Sequence, residues 1–234
     1  MNRSDTLDVL VEVFLGFAIA VIAGCGNVNK AGLPTCTGAC SCTESTCSCQ
    51  SGGNCTFGPP MESMGGGGIA DGAAPPSTEL PNDVTYTCAE KNQCDLTCGS
   101  GCTSTCDGRS TCAGTCTSNC TSSCAGTSDC TLTTGTNSEV TCAGGSTCKV
   151  SLDTGSTLTC QGESTCNLDC PKGGCTAECA GAANCTVVCG GSTPCRIQCN
   201  GMTTQDCAAG TMCRGVCPRM GGGGDSGSHR DAGR

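Results

Sequence analysis

Residues 142–166 read CAGGSTCKVSLDTGSTLTCQGESTC, and this stretch decides the fold. Cys142 and Cys148 return as Cys160 and Cys166, 18 residues later. The run Cys148-x-Val150-x-Leu152 alternates apolar and polar positions, and so does Cys166-x-Leu168-x-Cys170 beyond it. Alternation with period two marks half-buried strands, because successive side chains leave a strand on opposite faces. Asp153-Thr154-Gly155 and Gln161-Gly162-Glu163 separate the runs with residues that favour turns.

The same unit extends in both directions. Cys88, Cys106, Cys124, Cys142 and Cys160 are 18 apart, as are Cys94, Cys112, Cys130, Cys148 and Cys166. Further alternating runs, Cys185-x-Val187-x-Cys189 and Cys195-x-Ile197-x-Cys199, are bounded by Pro171-Lys172-Gly173-Gly174 and Gly190-Gly191. A short fixed period of strands and turns is the pattern of a solenoid. The expected fold is all-β: a flattened, disulfide-rich β-solenoid of about seven 18-residue coils, two strands per coil, ~35 Å long at ~4.8 Å per coil.

Composition supports a thin interior. The chain has 31 Cys and 37 Gly, no Trp, one Tyr and three Phe. The large side chains that supply most buried apolar area are scarce, so cross-links that restrict the unfolded chain must carry much of the stability. Such cysteine density belongs to an oxidising compartment. Packed sheets ordinarily sit ~10 Å apart, whereas a disulfide wants its Cα atoms ~5.5–6 Å apart. Opposed cysteines therefore demand small inward residues.

Spacing suggests the pairs. Eight Cys-x5-Cys pairs bracket one class of turn: Cys88–Cys94, Cys106–Cys112, Cys124–Cys130, Cys142–Cys148, Cys160–Cys166, Cys179–Cys185, Cys189–Cys195 and Cys207–Cys213. Cys98–Cys102, Cys116–Cys120 and Cys170–Cys175 bracket a second class. Where that class lacks one cysteine it lacks both, with Thr134 opposite Ser138 and Leu152 opposite Ser156. Cys199 and Cys217 remain, one coil apart on the same side. Each short loop contributes ~2–2.5 kcal/mol in the chain-entropy model.

Upstream, residues 13–24 are an apolar run too short to span a bilayer but suited to a signal-peptide core. Ile22-Ala23-Gly24-Cys25 resembles the bacterial lipobox, which implies that Cys25 carries acyl chains and becomes the mature N-terminus. Gly26 follows rather than Asp, so the inner-membrane retention signal of that family is missing and an outer-membrane lipoprotein is expected. Only Arg3 lends positive charge to the leading segment, a departure from the usual export signal. With Cys25 set aside, six cysteines lie between Cys36 and Cys55 and 24 between Cys88 and Cys217. Both counts are even, as complete pairing within each block requires.

The expected organisation is a signal peptide over 1–24, a lipidated cysteine and tether over 25–35, and a Cys-rich block over 36–56. A Gly/Pro-rich linker over 57–83, a solenoid over 84–217 and a disordered tail over 218–234 complete it. The block containing Cys36, Cys40, Cys42, Cys47, Cys49 and Cys55 reads either as a small separate knot or as an irregular cap, with fifteen connectivities open.

Cys-x5-Cys units flanked by threonine, with Thr35-Cys36-Thr37, Thr115-Cys116-Thr117 and Thr111-Cys112, resemble the disulfide-threaded β-helix antifreeze proteins of beetles. Those have a shorter coil, so the likeness is one of architecture. The chain as a whole is similar to Cys-rich repeat lipoproteins of Gram-negative bacteria, a resemblance that implies no particular activity.

Function classes can be narrowed. A net charge of −9 and the lack of aromatics disfavour nucleic acid. The sole histidine, His229, lies in the tail, and there is neither a Cys-x2-Cys motif nor a phosphate or calcium loop. No catalytic, cofactor-binding or metal residue is therefore assigned. The expectation is a non-catalytic, lipid-anchored structural or interaction protein of the cell envelope. Its partners are the membrane, through the lipid, and envelope polysaccharide or protein; oligomeric state is not legible.

One alternative is a carbohydrate- or ice-binding face. Thr85, Thr87, Thr103, Thr105, Thr121, Thr157 and Thr159, with Ser123, Thr141 and Thr176, point outward and stack as two hydroxyl rows interrupted by Glu139 and Glu178. The other is a Cys-rich metal binder, for which Cys40-Ser41-Cys42 and Cys47-Ser48-Cys49 are similar to metallothionein's Cys-x-Cys. Oxidised cysteines oppose that reading.

Overall fold

The computed structural model describes residues 34–58, 80–201 and 203–216. Among them the regular elements are all β. Four strands precede the Gly/Pro-rich segment: β1 (Thr35–Gly38), β2 (Cys40–Cys42), β3 (Thr46–Cys49) and β4 (Asn54–Gly58). Then come β5 (Thr85–Cys88), β6 (Gln93–Ser100), β7 (Thr103–Cys106), β8 (Thr111–Ser118), β9 (Thr121–Cys124), β10 (Asp129–Thr136) and β11 (Glu139–Cys142). These are followed by β12 (Thr147–Leu152), β13 (Thr157–Cys160), β14 (Thr165–Cys170), β15 (Thr176–Cys179), β16 (Asn184–Cys189) and β17 (Cys195–Cys199). Last are β18 (Thr203–Cys207) and β19 (Thr211–Val216).

The chain alternates between two sheets. Even-numbered strands β4 to β16 pair in parallel as sheet A. Odd-numbered strands β3 to β17 pair in parallel as sheet B. This is a β-solenoid, with about six turns in the second cysteine block rather than the expected seven. The first block is not a free-standing knot: β3 and β4 form a coil of the same two sheets.

Both ends reverse direction, which the repeat did not foretell. β1 and β2 run antiparallel to β4 and β3, and β19 and β18 run antiparallel to β16 and β17. At the second reversal Asn200 and Gly201 both have positive φ, at 51° and 68°. Asn-Gly is the strongest short hairpin signal, and here it ends the parallel stacking.

Inside each coil one central residue from each sheet lies between the cysteine edges. The pairs are Tyr86/Leu96, Ser104/Gly114, Ser122/Leu132, Val140/Val150, Leu158/Leu168 and Ala177/Val187, all in the interior. Bulk is balanced between coils. The Tyr86 ring lies 5.3 Å from Phe57, and the next coil holds only Ser104 and Gly114 at its centre. Leu96 and Leu132 fill the space over Gly114, at 3.3 Å and 3.2 Å from where a Cβ would stand. Burial pushes the Tyr86 phenol up to about 12, so it is a neutral donor to the Thr97 carbonyl.

Disulfides close both edges. On the first edge they link each sheet B strand to the following sheet A strand: Cys49–Cys55, Cys88–Cys94, Cys106–Cys112, Cys124–Cys130, Cys142–Cys148, Cys160–Cys166 and Cys179–Cys185. The second edge holds Cys98–Cys102, Cys116–Cys120, Cys170–Cys175 and Cys189–Cys195. The last of these corrects the sequence reading, which put Cys189–Cys195 in the first class; so does Cys207–Cys213, because β18 and β19 run antiparallel and set Cys207 beside Cys195 and Thr211 beside Cys189, on the second edge. Loops on the first edge keep a separation of 6, whereas those on the second lengthen from 4 to 5 and then 6. Length alone could not distinguish them. Cys36–Cys40 joins β1 to β2, Cys42–Cys47 joins β2 to β3, and Cys207–Cys213 joins β18 to β19. Cys199 is also bonded; Cys217 and Cys25 lie outside the described residues.

The first edge keeps its length because its turns stack in contact. Gly126 has φ 69°, and a Cβ there would stand 2.7 Å from the Gly108 carbonyl oxygen. Gly144 stands in the same relation to Gly126. Beside this column Ser110, Ser128, Ser146 and Ser164 are buried, each donating to the carbonyl three residues back at 2.7 Å. On the second edge serine replaces the absent bridges. Ser138 Oγ accepts from the Cys120 amide at 3.2 Å, and Ser156 Oγ accepts from the Ser138 amide at 3.0 Å. Among the described residues the buried Thr134 hydroxyl has no hydrogen-bond partner.

Two outcomes are expected in denaturant unfolding under oxidising conditions. Gly126→Ala meets backbone and loses more stability than Gly210→Ala, which has the same positive φ in open space and loses about 1–2 kcal/mol. The double change Thr134→Cys with Ser138→Cys forms a new bridge, since Cys98–Cys102 and Cys116–Cys120 span the same separation of 4 with Cα atoms 6.5 Å apart. It adds up to about 2 kcal/mol, less what the Ser138 hydrogen bond supplied; free-thiol titration checks the bridge.

Candidate binding face

Because the inward positions of sheet B are the edge cysteines and central residues such as Tyr86, Ser122, Val140 and Leu158, its outward positions are the alternates, and these are mostly threonine. Strand pairing places Thr46, Thr85, Thr103, Thr121, Glu139, Thr157, Thr176 and Arg196 in one row. The second row holds Ser48, Thr87, Thr105, Ser123, Thr141, Thr159, Glu178 and, extended by one strand, Gln198. From β3 to β9 every position in both rows carries a hydroxyl.

Physical chemistry fixes the presentation. Neighbouring strands lie ~4.8 Å apart and alternate residues along a strand ~6.6 Å apart, so the hydroxyls form a near-rectangular net. Threonine is β-branched and stiff about χ1, which orients hydroxyl and methyl alike from coil to coil. Thr103 and Thr121 are exposed, while Thr85, Thr87, Thr105, Thr157 and Thr159 are partly shielded by row neighbours. Among the described residues no partner is found for the hydroxyls of Thr103, Thr121 or Thr157. Ser48 Oγ, at the β2 side of the net, is paired with Ser41 Oγ at 3.3 Å.

Sheet A differs. Its outward rows mix Asp95, Asp129, Lys149 and Asp169 with threonine and asparagine. A shallow groove there runs past Thr133, Ser151 and Asp169 to Val188 and Met212, the exposed large apolar residues. Thr35-Cys36-Thr37 and Thr115-Cys116-Thr117 lie on this sheet, in β1 and β8, and not among the sheet B rows.

Two sulfur triplets have metal-ligand proximity: Cys88, Cys106 and Cys112, and Cys106, Cys124 and Cys130, each within 4.8 Å. Each triplet contains a complete bridge, Cys106–Cys112 or Cys124–Cys130. Thiolates are the metal ligands, so these sulfurs would coordinate only after reduction. Cys40-Ser41-Cys42 and Cys47-Ser48-Cys49 are likewise bonded, to Cys36, Cys47, Cys42 and Cys55. Sequence reasoning found both Thr rows and missed the buried serine column, although a Ser two residues before Cys112, Cys130, Cys148 and Cys166 was there to read.

No helix among the described residues is long and apolar enough to cross a membrane. His229 and the apolar run over 13–24 lie outside them. In comparison with known proteins, the chain matches no family model, no curated protein and no solved structure.

Proposed function

We propose that the chain is a lipid-anchored rod outside the cytoplasm, with a structural or interaction role in the bacterial cell envelope and no catalysis of its own. The observation that carries this is the double edge of buried bridges. A fold whose two sheets are tied by disulfides at nearly every coil forms and persists where thiols are oxidised. The lipobox-like Ile22-Ala23-Gly24-Cys25 supplies the anchor, and Gly26 favours the outer membrane. The contact surface is the face of sheet B, with envelope polysaccharide or protein as partner.

Metabolic labelling with a fatty acid tests the anchor. The native chain takes up label and fractionates with the outer membrane, and Cys25→Ser loses both. An unlabelled native chain retires the lipoprotein reading.

One observation favours a second reading. The hydroxyl net on sheet B is unbroken over β3, β5, β7 and β9, and it suits an ordered surface of hydroxyls, either insoluble polysaccharide or ice. Thr103→Lys combined with Thr121→Lys should abolish adsorption to such a surface. Thr115→Lys with Thr131→Lys, on sheet A, should leave it intact. Equal binding by both variants rules the net out as the contact.

A further inference from the structure

The buried sulfurs of the first edge are nearer one another than a row of independent staples requires. Strand pairing stacks Cys88, Cys106 and Cys124 in sheet B and Cys94, Cys112 and Cys130 in sheet A, coil over coil. Cys88 Sγ lies within 4.8 Å of both sulfurs of the bridge above it, Cys106–Cys112. Cys106 Sγ lies within 4.8 Å of both sulfurs of the next, Cys124–Cys130. Neighbouring strands are ~4.8 Å apart, inside the ~4.4–6.8 Å between Cα atoms that a disulfide accepts. Cys88 can therefore bond to either sulfur of Cys106–Cys112 with little backbone movement, whereas Cys94 is in neither close triplet.

We propose that the stretch of this edge from Cys88 to Cys130 is an intramolecular thiol–disulfide exchange site, along which an unpaired thiol passes from coil to coil. Suppose Cys88 is left without its partner. Its thiolate attacks Cys106 Sγ, the Cys88–Cys106 bond forms and Cys106–Cys112 breaks. The electron pair leaves on Cys112, which takes up the proton that Cys88 released. Attack on Cys112 instead forms Cys88–Cys112 and frees Cys106, the sulfur common to both triplets, which then faces Cys124–Cys130. Each step conserves the number of bridges and needs no external oxidant or reductant. Such uncatalysed exchange proceeds over minutes to hours. The use of such a site is correction: a thiol left in the wrong coil during folding is relocated without unfolding the rod. The inference rests on the bridged edge and not on the lipid anchor or the threonine face.

A single variant tests it. Cys94→Ser strands the Cys88 thiol. After incubation of the full oxidised chain at mildly alkaline pH without added thiol, the sample is acid-quenched, the free thiols are alkylated and the peptides mapped. Label at Cys88 should at least halve relative to a sample quenched at once, with the loss recovered on Cys106 and Cys112 and a new cross-linked peptide joining Cys88 to one of them. The yield should not depend on protein concentration. Cys88→Ser strands Cys94, which belongs to neither triplet, and its label should stay on Cys94. Label that remains wholly on Cys88 overturns the proposal. So does label spread to remote cysteines such as Cys170 and Cys189, the signature of a variant that has lost the fold.

Discussion

A disulfide between facing strands holds their Cα atoms about 6 Å apart, and that distance governs the rest of this molecule. The bridges of the two edges have Cα separations of 5.9–6.5 Å. Two sheets pinned this closely leave room for one central residue from each. The interior is therefore a column of pairs and not a conventional core, and large side chains are admitted only where the next coil yields. Tyr86 and Leu96 above Ser104 and Gly114 show that exchange of volume. Cross-linking then has to do what buried area does elsewhere: it lowers the entropy of the unfolded chain more than it adds contacts to the folded one.

The repeat was legible because its period is set by covalent geometry. Cys142, Cys148, Cys160 and Cys166 announce both the 18-residue coil and the first edge, where a stacked Gly108, Gly126 and Gly144 leave no room for insertion. The second edge tolerates insertion. Pro171-Lys172-Gly173-Gly174 lengthens one loop and Gly190-Gly191-Ser192-Thr193-Pro194 the next, until Cys189–Cys195 has the spacing of the opposite edge. Cysteine spacing reports chain length between bridges, and only strand pairing reports which side of the rod they close.

The ends were illegible for a different reason. A repeat is read by similarity to its neighbours, and capping strands are where that similarity stops. β2 and β18 each return along the strand before or after them, so the last pairings are antiparallel and local. Asn200-Gly201 carries the signal for one reversal, but Cys199, Cys207 and Cys213 continue the cysteine pattern across it. The first block, whose six cysteines fit fifteen pairings in isolation, is fixed by its stacking on the next coil, with Cys55 beside Cys94 and Phe57 beside Leu96.

The outer faces follow from the inner constraint. With every second residue committed to a narrow interior, each strand keeps two or three outward positions whose vertical register is fixed by the bridges. On sheet B these are threonine or serine throughout β3 to β9, and a stiff side chain on a stiff lattice loses little entropy when it meets an equally regular surface. On sheet B charges enter only from β11 onward, with Glu139, Glu178 and Arg196, whereas on sheet A they begin at Asp95 in β6. Substituting one row threonine therefore changes the net at a single node and leaves the lattice standing, whereas altering one glycine of the first edge displaces the turn that sets the register of two coils. Outer surface and architecture are separable in this rod because they are written on alternate residues of the same strands.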